Sequence, residues 1–137
     1  MKCFEFKTRK LYFVSYEEVA HGDFQKDKHT ILITTSSEGI TPIEKSYLES
    51  FLSFNCTEIY CVGTAAEKIH DIVDEIIEEK GFFEILTTWS SDESLEDICF
   101  YFLNVSGSKP ITLLAITNGD TYLEKALKQC ALSDPQS

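Results

Sequence analysis

From residue 30 onward the chain alternates short β-branched runs with stretches whose apolar residues recur every three or four positions. Thr30-Ile31-Leu32-Ile33-Thr34-Thr35 is the first such run, apolar enough to predict a strand covered on both faces. Thr41-Pro42-Ile43-Glu44 follows, with a hydroxyl for the N-cap, proline at the first helical position and glutamate at the third. Ile43, Tyr47, Leu48, Phe51 and Leu52 then mark one face of the predicted helix. Residues 57–63 predict a second strand, and Thr64-Ala65-Ala66-Glu67 a second capping box. The helix it opens carries Ile69, Ile72, Val73, Ile76 and Ile77 as one stripe and runs to Gly81, where a left-handed cap is expected. Residues 82–89 predict a third strand, and Ser90-Ser91-Asp92-Glu93 a third capping box. Leu95, Ile98, Cys99 and Phe102 mark the helix after it, which extends to residue 105. Residues 109–117 predict the last strand, and Asn118 or Asp120 caps a helix through Tyr122, Leu123, Ala126, Leu127 and Cys130.

Strand–helix repetition at this spacing predicts an α/β fold: a three-layer sandwich, Rossmann-like or flavodoxin-like. Its sheet would be mostly parallel, with about four to six strands and about four helices distributed on both faces. Residues 1–137 read as a single domain. Within it, 1–30 would form an N-terminal strand or hairpin plus a polar loop, 30–131 the repeating units and 132–137 a frayed tail. Leu11-Tyr12-Phe13-Val14-Ser15-Tyr16 is the strand of that first part, Cys3-Phe4-Glu5-Phe6 its hairpin or edge partner, and 17–28 the loop. The core is expected to hold Ile33, Leu48, Ile59, Ile72, Ile76, Ile85, Leu86, Ile98, Phe102, Leu113, Leu114 and Leu127.

Hydrophobic residues make up 43% and charged residues 26%, a balance that excludes a disordered chain. No apolar run approaches the roughly 20 residues needed to span a bilayer. Met1-Lys2-Cys3-Phe4-Glu5-Phe6 has no secretory h-region, so the expected localisation is cytoplasmic. The five cysteines, Cys3, Cys56, Cys61, Cys99 and Cys130, fit that compartment. They contain no C-x-x-C pair and read as small buried hydrophobes.

Charge is where the chain departs from an ordinary domain. Residues 44–97 hold fourteen Asp/Glu against three Lys, a net of −11 that equals the formal charge of the whole chain. Such a balance disfavours nucleic acid and anionic membrane as partners and points toward a basic protein. The candidate partner-binding residues are Glu67, Asp71, Asp74, Glu75, Glu78 and Glu79 on the second helix, with Asp92, Glu93, Glu96 and Asp97 extending them on the third. Trp89, the only tryptophan, ends a predicted strand beside them and is the candidate packed anchor.

Catalytic chemistry finds little support. G-x-S-x-G, H-E-x-x-H, G-x-x-x-x-G-K-[ST] and G-x-G-x-x-G are all absent. His21, Asp23, Asp27 and His29 can be drawn as a metal site, yet no spacing holds them together, and the sequence predicts neither metal nor cofactor. The hydroxyl-rich residues 34–41 resemble in part the flavodoxin phosphate loop, with Ser36, Gly39 and Thr41 at the matching positions. That resemblance implies phosphate or flavin binding as an alternative. Glu38, Lys45 and the strand preceding this unit depart from the flavodoxin pattern.

A small acidic α/β domain without a catalytic set resembles in type the immunity proteins that bacteria pair with toxins. The resemblance implies a non-catalytic inhibitor that covers the active site of a cognate basic toxin with an acidic surface. An enzyme of unknown reaction stands as the second alternative.

Overall fold

The computed structural model describes residues 3–35, 42–107 and 111–133. Among them are six strands: β1 (Cys3–Phe6), β2 (Arg9–Phe13), β3 (His29–Thr35), β4 (Cys56–Gly63), β5 (Leu86–Ser90) and β6 (Thr112–Ile116). The α-helices among them are α1 (Tyr16–His21), α2 (Pro42–Phe51), α3 (Ala66–Lys80), α4 (Leu95–Phe100) and α5 (Thr121–Ser133). The strands form one sheet in the order β1-β2-β6-β3-β4-β5. β1 and β2 make an antiparallel hairpin, and every other neighbouring pair is parallel. The protein is therefore α/β with a mostly parallel sheet.

The alternation of side chains along the inner strands divides the core in two. Ile31 and Ile33 of β3, Ile59 and Cys61 of β4, and Leu114 and Ile116 of β6 point into one apolar cluster. Leu32, Tyr60, Val62, Leu113 and Ala115, the residues between them, point into the other. Helices α1, α2 and α3 close the first cluster with Val19, Leu48, Phe51, Ile69, Val73 and Ile76. Helices α4 and α5 close the second with Ile98, Cys99, Leu123 and Leu127. Burial on both faces explains why these strands read as continuous apolar runs.

Several expected boundaries shift, each for a local reason. Residues 17–28 are not a loop but α1 and a 3-10 turn over Asp23–Lys26. Ser15 Oγ accepts from Glu18 N at 3.1 Å while Glu18 Oε1 accepts from Ser15 N at 3.0 Å, a capping box. The helix buries only Tyr16 and Val19, too few residues to show a stripe. The expected box at Thr64 does not form: Ala65 becomes the N-cap of α3 with no side-chain cap bond, and Thr35 Oγ1 accepts the Ala65 N–H at 3.1 Å. The third box moves as well: Ser94 caps α4 by accepting from Asp97 N, while Ser90 holds a separate turn through Glu93 N.

The strand expected over 82–89 is shorter and later. Gly81 takes the left-handed conformation, φ 77°, and Phe82 N still donates to Ile77 O, so this segment completes the end of α3. Leu86, expected in the core, is 54% exposed because it opens the outermost strand. Ile72 is half-buried at the margin of its cluster. The other ten expected core residues are buried. Asp120 caps α5 by accepting from Leu123 N at 3.1 Å, and α5 continues to Ser133, into the expected tail. Thr41 and residues 134–137 lie outside the described residues.

This division of the core yields a direct test. Leu32→Ala should lower unfolding free energy by about 2–5 kcal/mol, as expected for a fully buried leucine. Leu86→Ala should stay within about 0.5 kcal/mol. Urea denaturation of both variants checks this, and equal losses would place Leu86 back in the core.

Candidate functional site

Among the described residues, no strand pairs with the outer side of β5. Its side chains alternate between the two faces of the sheet at that open edge. Thr88 points toward the α4 face, where its hydroxyl donates to Glu58 Oε2 at 2.8 Å. Thr87 and Trp89 point toward α3, where they meet His70. Trp89 remains 41% exposed, with its ring centroid 6.5 Å from the imidazole.

The surroundings of His70 are polar and specific. Nδ1 lies 3.3 Å from Asp71 Oδ1, while Nε2 lies 3.6 Å from Asp74 Oδ2 and 3.2 Å from Thr87 Oγ1. The Thr87 hydroxyl donates to Asp74 Oδ1 at 2.5 Å. Helix spacing explains the pair His70 and Asp74, since residues four apart share a face. Thr87 arrives from another element, and nothing in the sequence spacing reveals it. The hydroxyl–imidazole–carboxylate chain has the order of a nucleophile, base and orienting group. Thr87 already gives its proton to Asp74, however, and that arrangement leaves no activated hydroxyl.

The candidate acidic residues do not form one surface. Glu67, Asp71, Glu75, Glu78 and Glu79 are exposed on α3, and Asp74 is half-buried against β5. Asp92 and Glu93, expected on the helix, are exposed in the turn before α4, and Glu96 and Asp97 are exposed in its first turn. Because α3 and α4 pack against opposite clusters, the sheet separates these two groups. What joins them is the β5 edge, which they flank. Trp89 sits within that strand, one residue before its end at Ser90, rather than at its end. Glu96 and Asp97 also lie in the first turn of α4, where carboxylates favour the helix dipole.

A second polar cluster escaped sequence reading because Glu58 sits in a run that reads as core. Glu58 is 2% exposed. Its carboxylate accepts from Thr88 Oγ1, from Tyr101 OH at 2.6 Å and from Gly107 N at 3.1 Å. Arg9, equally buried, donates through Nη1 to Ser106 O at 2.7 Å and to Phe102 O at 3.4 Å. Those carbonyls belong to the π-helical turn Tyr101–Val105 and the residue after it. Burial lowers the Arg9 pKa, and the charge of Glu58 opposes that shift. Gly107, at φ 66°, has no room for a side chain, since a Cβ there would collide with Ile111 and Thr30. The carboxylate is engaged by donors from β5, α4's extension and the following turn, so it acts as a buried staple.

The remaining candidates separate cleanly. Ser36, Gly39 and Thr41 lie outside the described residues. The two hydroxyls described in the 34–41 stretch are committed to backbone: Thr34 Oγ1 donates to Ile116 O, and Thr35 Oγ1 to Val62 O. His29 is buried with Nδ1 2.8 Å from Asp27 O, while His21 is exposed and meets Tyr47 edge-on. The structure does not bring these histidines into one cluster. Cys56, Cys61 and Cys99 are buried as expected, Cys130 is half-buried, and Cys3 is exposed. A cleft of about 640 Å³ beside α1 is lined by Tyr12, Phe24, Glu17, Glu18 and Asp23 among others. No described helix is long and apolar enough to cross a membrane.

A family profile described as Domain of unknown function (DUF7684) matches residues 14–132. The chain belongs to this family. The DUF7684 span takes in β3 to β6 and both flanks of the β5 edge, while β1 and β2 precede it. Neither a curated protein nor a solved structure matches the chain.

The buried titratable groups dictate a pH profile. Burial pushes the thiols of Cys56, Cys61 and Cys99 up to about 12 from 9.0. Burial, then the bond to Glu58, pushes Tyr101 up to about 12 from 10.0. The unfolded chain loses these protons first, so stability is complete below pH 9.0 and falls as pH climbs toward 12. His29 works in the other direction: burial lowers its pKa from 6.5, so its contribution is complete above 6.5 and declines as pH falls below it. Urea midpoints measured against pH should therefore decline on both sides of neutrality. Cys61→Ala should reduce the alkaline loss, and a midpoint unchanged up to pH 11 would contradict the assignment.

Proposed function

We propose that this domain is a non-catalytic binding protein that docks a basic protein along the β5 edge. The observation that carries the reading is the pair of exposed acidic groups on α3 and α4 flanking an open strand with a half-exposed tryptophan. Complementary fields accelerate encounter, and a packed aromatic supplies affinity that charge alone rarely gives. An immunity or inhibitor protein that neutralises a toxin by covering its basic active site fits this surface. The Glu58 staple, its carboxylate held by three donors, and the committed Thr87 hydroxyl favour binding over catalysis.

The fold supports the same reading. The two clusters with helices against each are consistent with a three-layer, Rossmann-like sandwich. The chain reverses direction across the sheet between β6 and β3, whereas flavodoxins reverse between their first and third strands. That difference, with Thr34 and Thr35 engaged by backbone, weighs against the flavin alternative. A cytoplasmic setting accords with three buried reduced thiols whose burial keeps them inert.

Replacing Glu67, Glu75, Glu78 and Glu79 with Ser should slow association with the partner about tenfold or more at low salt, with far less effect on dissociation. Trp89→Ala should instead weaken the complex by about 2 kcal/mol, mainly by faster dissociation. Stopped-flow or surface-capture kinetics against a partner purified from the native host separates the two effects. Unchanged rates in both variants would reduce the acidic groups to a solvated surface.

A further inference from the structure

His70 presents both ring nitrogens to oxygen. Nδ1 faces Asp71 at 3.3 Å, and Nε2 faces Asp74 at 3.6 Å and the Thr87 hydroxyl at 3.2 Å. A neutral imidazole carries one N–H, so one nitrogen would turn a lone pair toward oxygen. With that proton on Nδ1 toward Asp71, the Nε2 lone pair faces Asp74 and Thr87, where a metal ion would take it. Among the described residues, His70, Asp71 and Asp74 are the group of ligand-type side chains that could hold an ion, with one donor atom of each within 4.8 Å of the others.

We propose that His70 Nε2 and the Asp74 carboxylate bind a divalent transition-metal ion of the zinc class. Thr87 Oγ1 and water would complete the shell, and Asp71 would hold the same ring through Nδ1–H. Tetrahedral coordination with bonds of about 2.0–2.2 Å places neighbouring donors about 3.4 Å apart. Nε2 and its two oxygen neighbours stand at 3.6 and 3.2 Å, so little movement is required. The second carboxylate matches the arrangement in which a histidine ligand gives its other N–H to an outer carboxylate that fixes its tautomer. A nitrogen donor with one direct carboxylate selects zinc-like ions over magnesium or calcium, which prefer shells of oxygen. Glu67, Glu75 and Glu78, exposed on the same helix, raise the local cation concentration without entering the shell. An ion here would tie α3 to β5 beside Trp89. The inference stands independently of the docking partner.

The lone tryptophan reports on this site, since its ring lies 6.5 Å from His70. Tag-free protein titrated with Co²⁺ should show saturable quenching of Trp89 fluorescence, reversed by Zn²⁺. Zn²⁺ should also raise the melting temperature. Both responses should vanish in His70→Gln and in Asp74→Asn, each checked for folding by circular dichroism. Asp71→Asn should weaken binding about tenfold or more, as loss of an outer carboxylate does. Glu78→Gln, which removes only a distant charge, should weaken the titration far less than any of these. If His70→Gln does not fold, Asp74→Asn carries the same test. Quenching that fails to saturate, persists in the folded His70→Gln or Asp74→Asn variants, or falls equally in Glu78→Gln would overturn the site.

Discussion

Burial of the inner strands on both faces is the constraint from which the rest of this structure follows. β3, β4 and β6 carry apolar residues at successive positions, so no face of the central sheet can meet water. Helices must therefore cover both sides, and the parallel connections supply them. Covering the faces does not cover the edges. On one side the sheet ends in β1, the short antiparallel strand of the hairpin. On the other, β5 is left open, flanked by the acidic outer side of α3 and by the acidic residues 92–97 that lead into α4. An open edge invites strand addition and aggregation, and dense like charge beside it is one way to prevent unwanted pairing.

The architecture was legible because periodicity needs only neighbouring residues. The stripe from Ile69 to Ile77 and the apolar run 30–35 each specify their element without tertiary information. Capping was less legible, because a hydroxyl has several possible clients. Thr64 has the right spacing for a cap, yet α3 takes Ala65 as its N-cap, and Thr35, far away in sequence, accepts the Ala65 N–H. Ser15, read as the end of a strand, and Glu18, read as loop, make a real box, because β2 stops at Phe13 and α1 starts at Tyr16. Local pattern names the candidates, and tertiary contact selects among them.

The candidate site shows the same limit. Net charge and the outward side of α3 follow from sequence, and so does the prominence of Trp89. The sheet then separates what looked like one acidic surface into two, a consequence of α3 and α4 packing on opposite clusters. The contact of Thr87 with His70 and Asp74 joins a strand to a helix across 17 and 13 residues, and no spacing rule reaches it. Glu58 was invisible for the opposite reason. Its neighbours make a strand that reads as core, and only the structure reveals the hydroxyls and the amide that satisfy its charge.

Amide hydrogen exchange on the protein alone tests the covered centre and open edge together. Amides of the inner strands, at 31–33, 59–61 and 113–115, should exchange only through global unfolding, since both faces and both edges of those strands are covered. Amides of β5 that point away from β4 should exchange orders of magnitude faster, through small local openings. Uniformly slow exchange throughout β5 would mean that the edge is already paired in solution, and would contradict the docking role proposed for it.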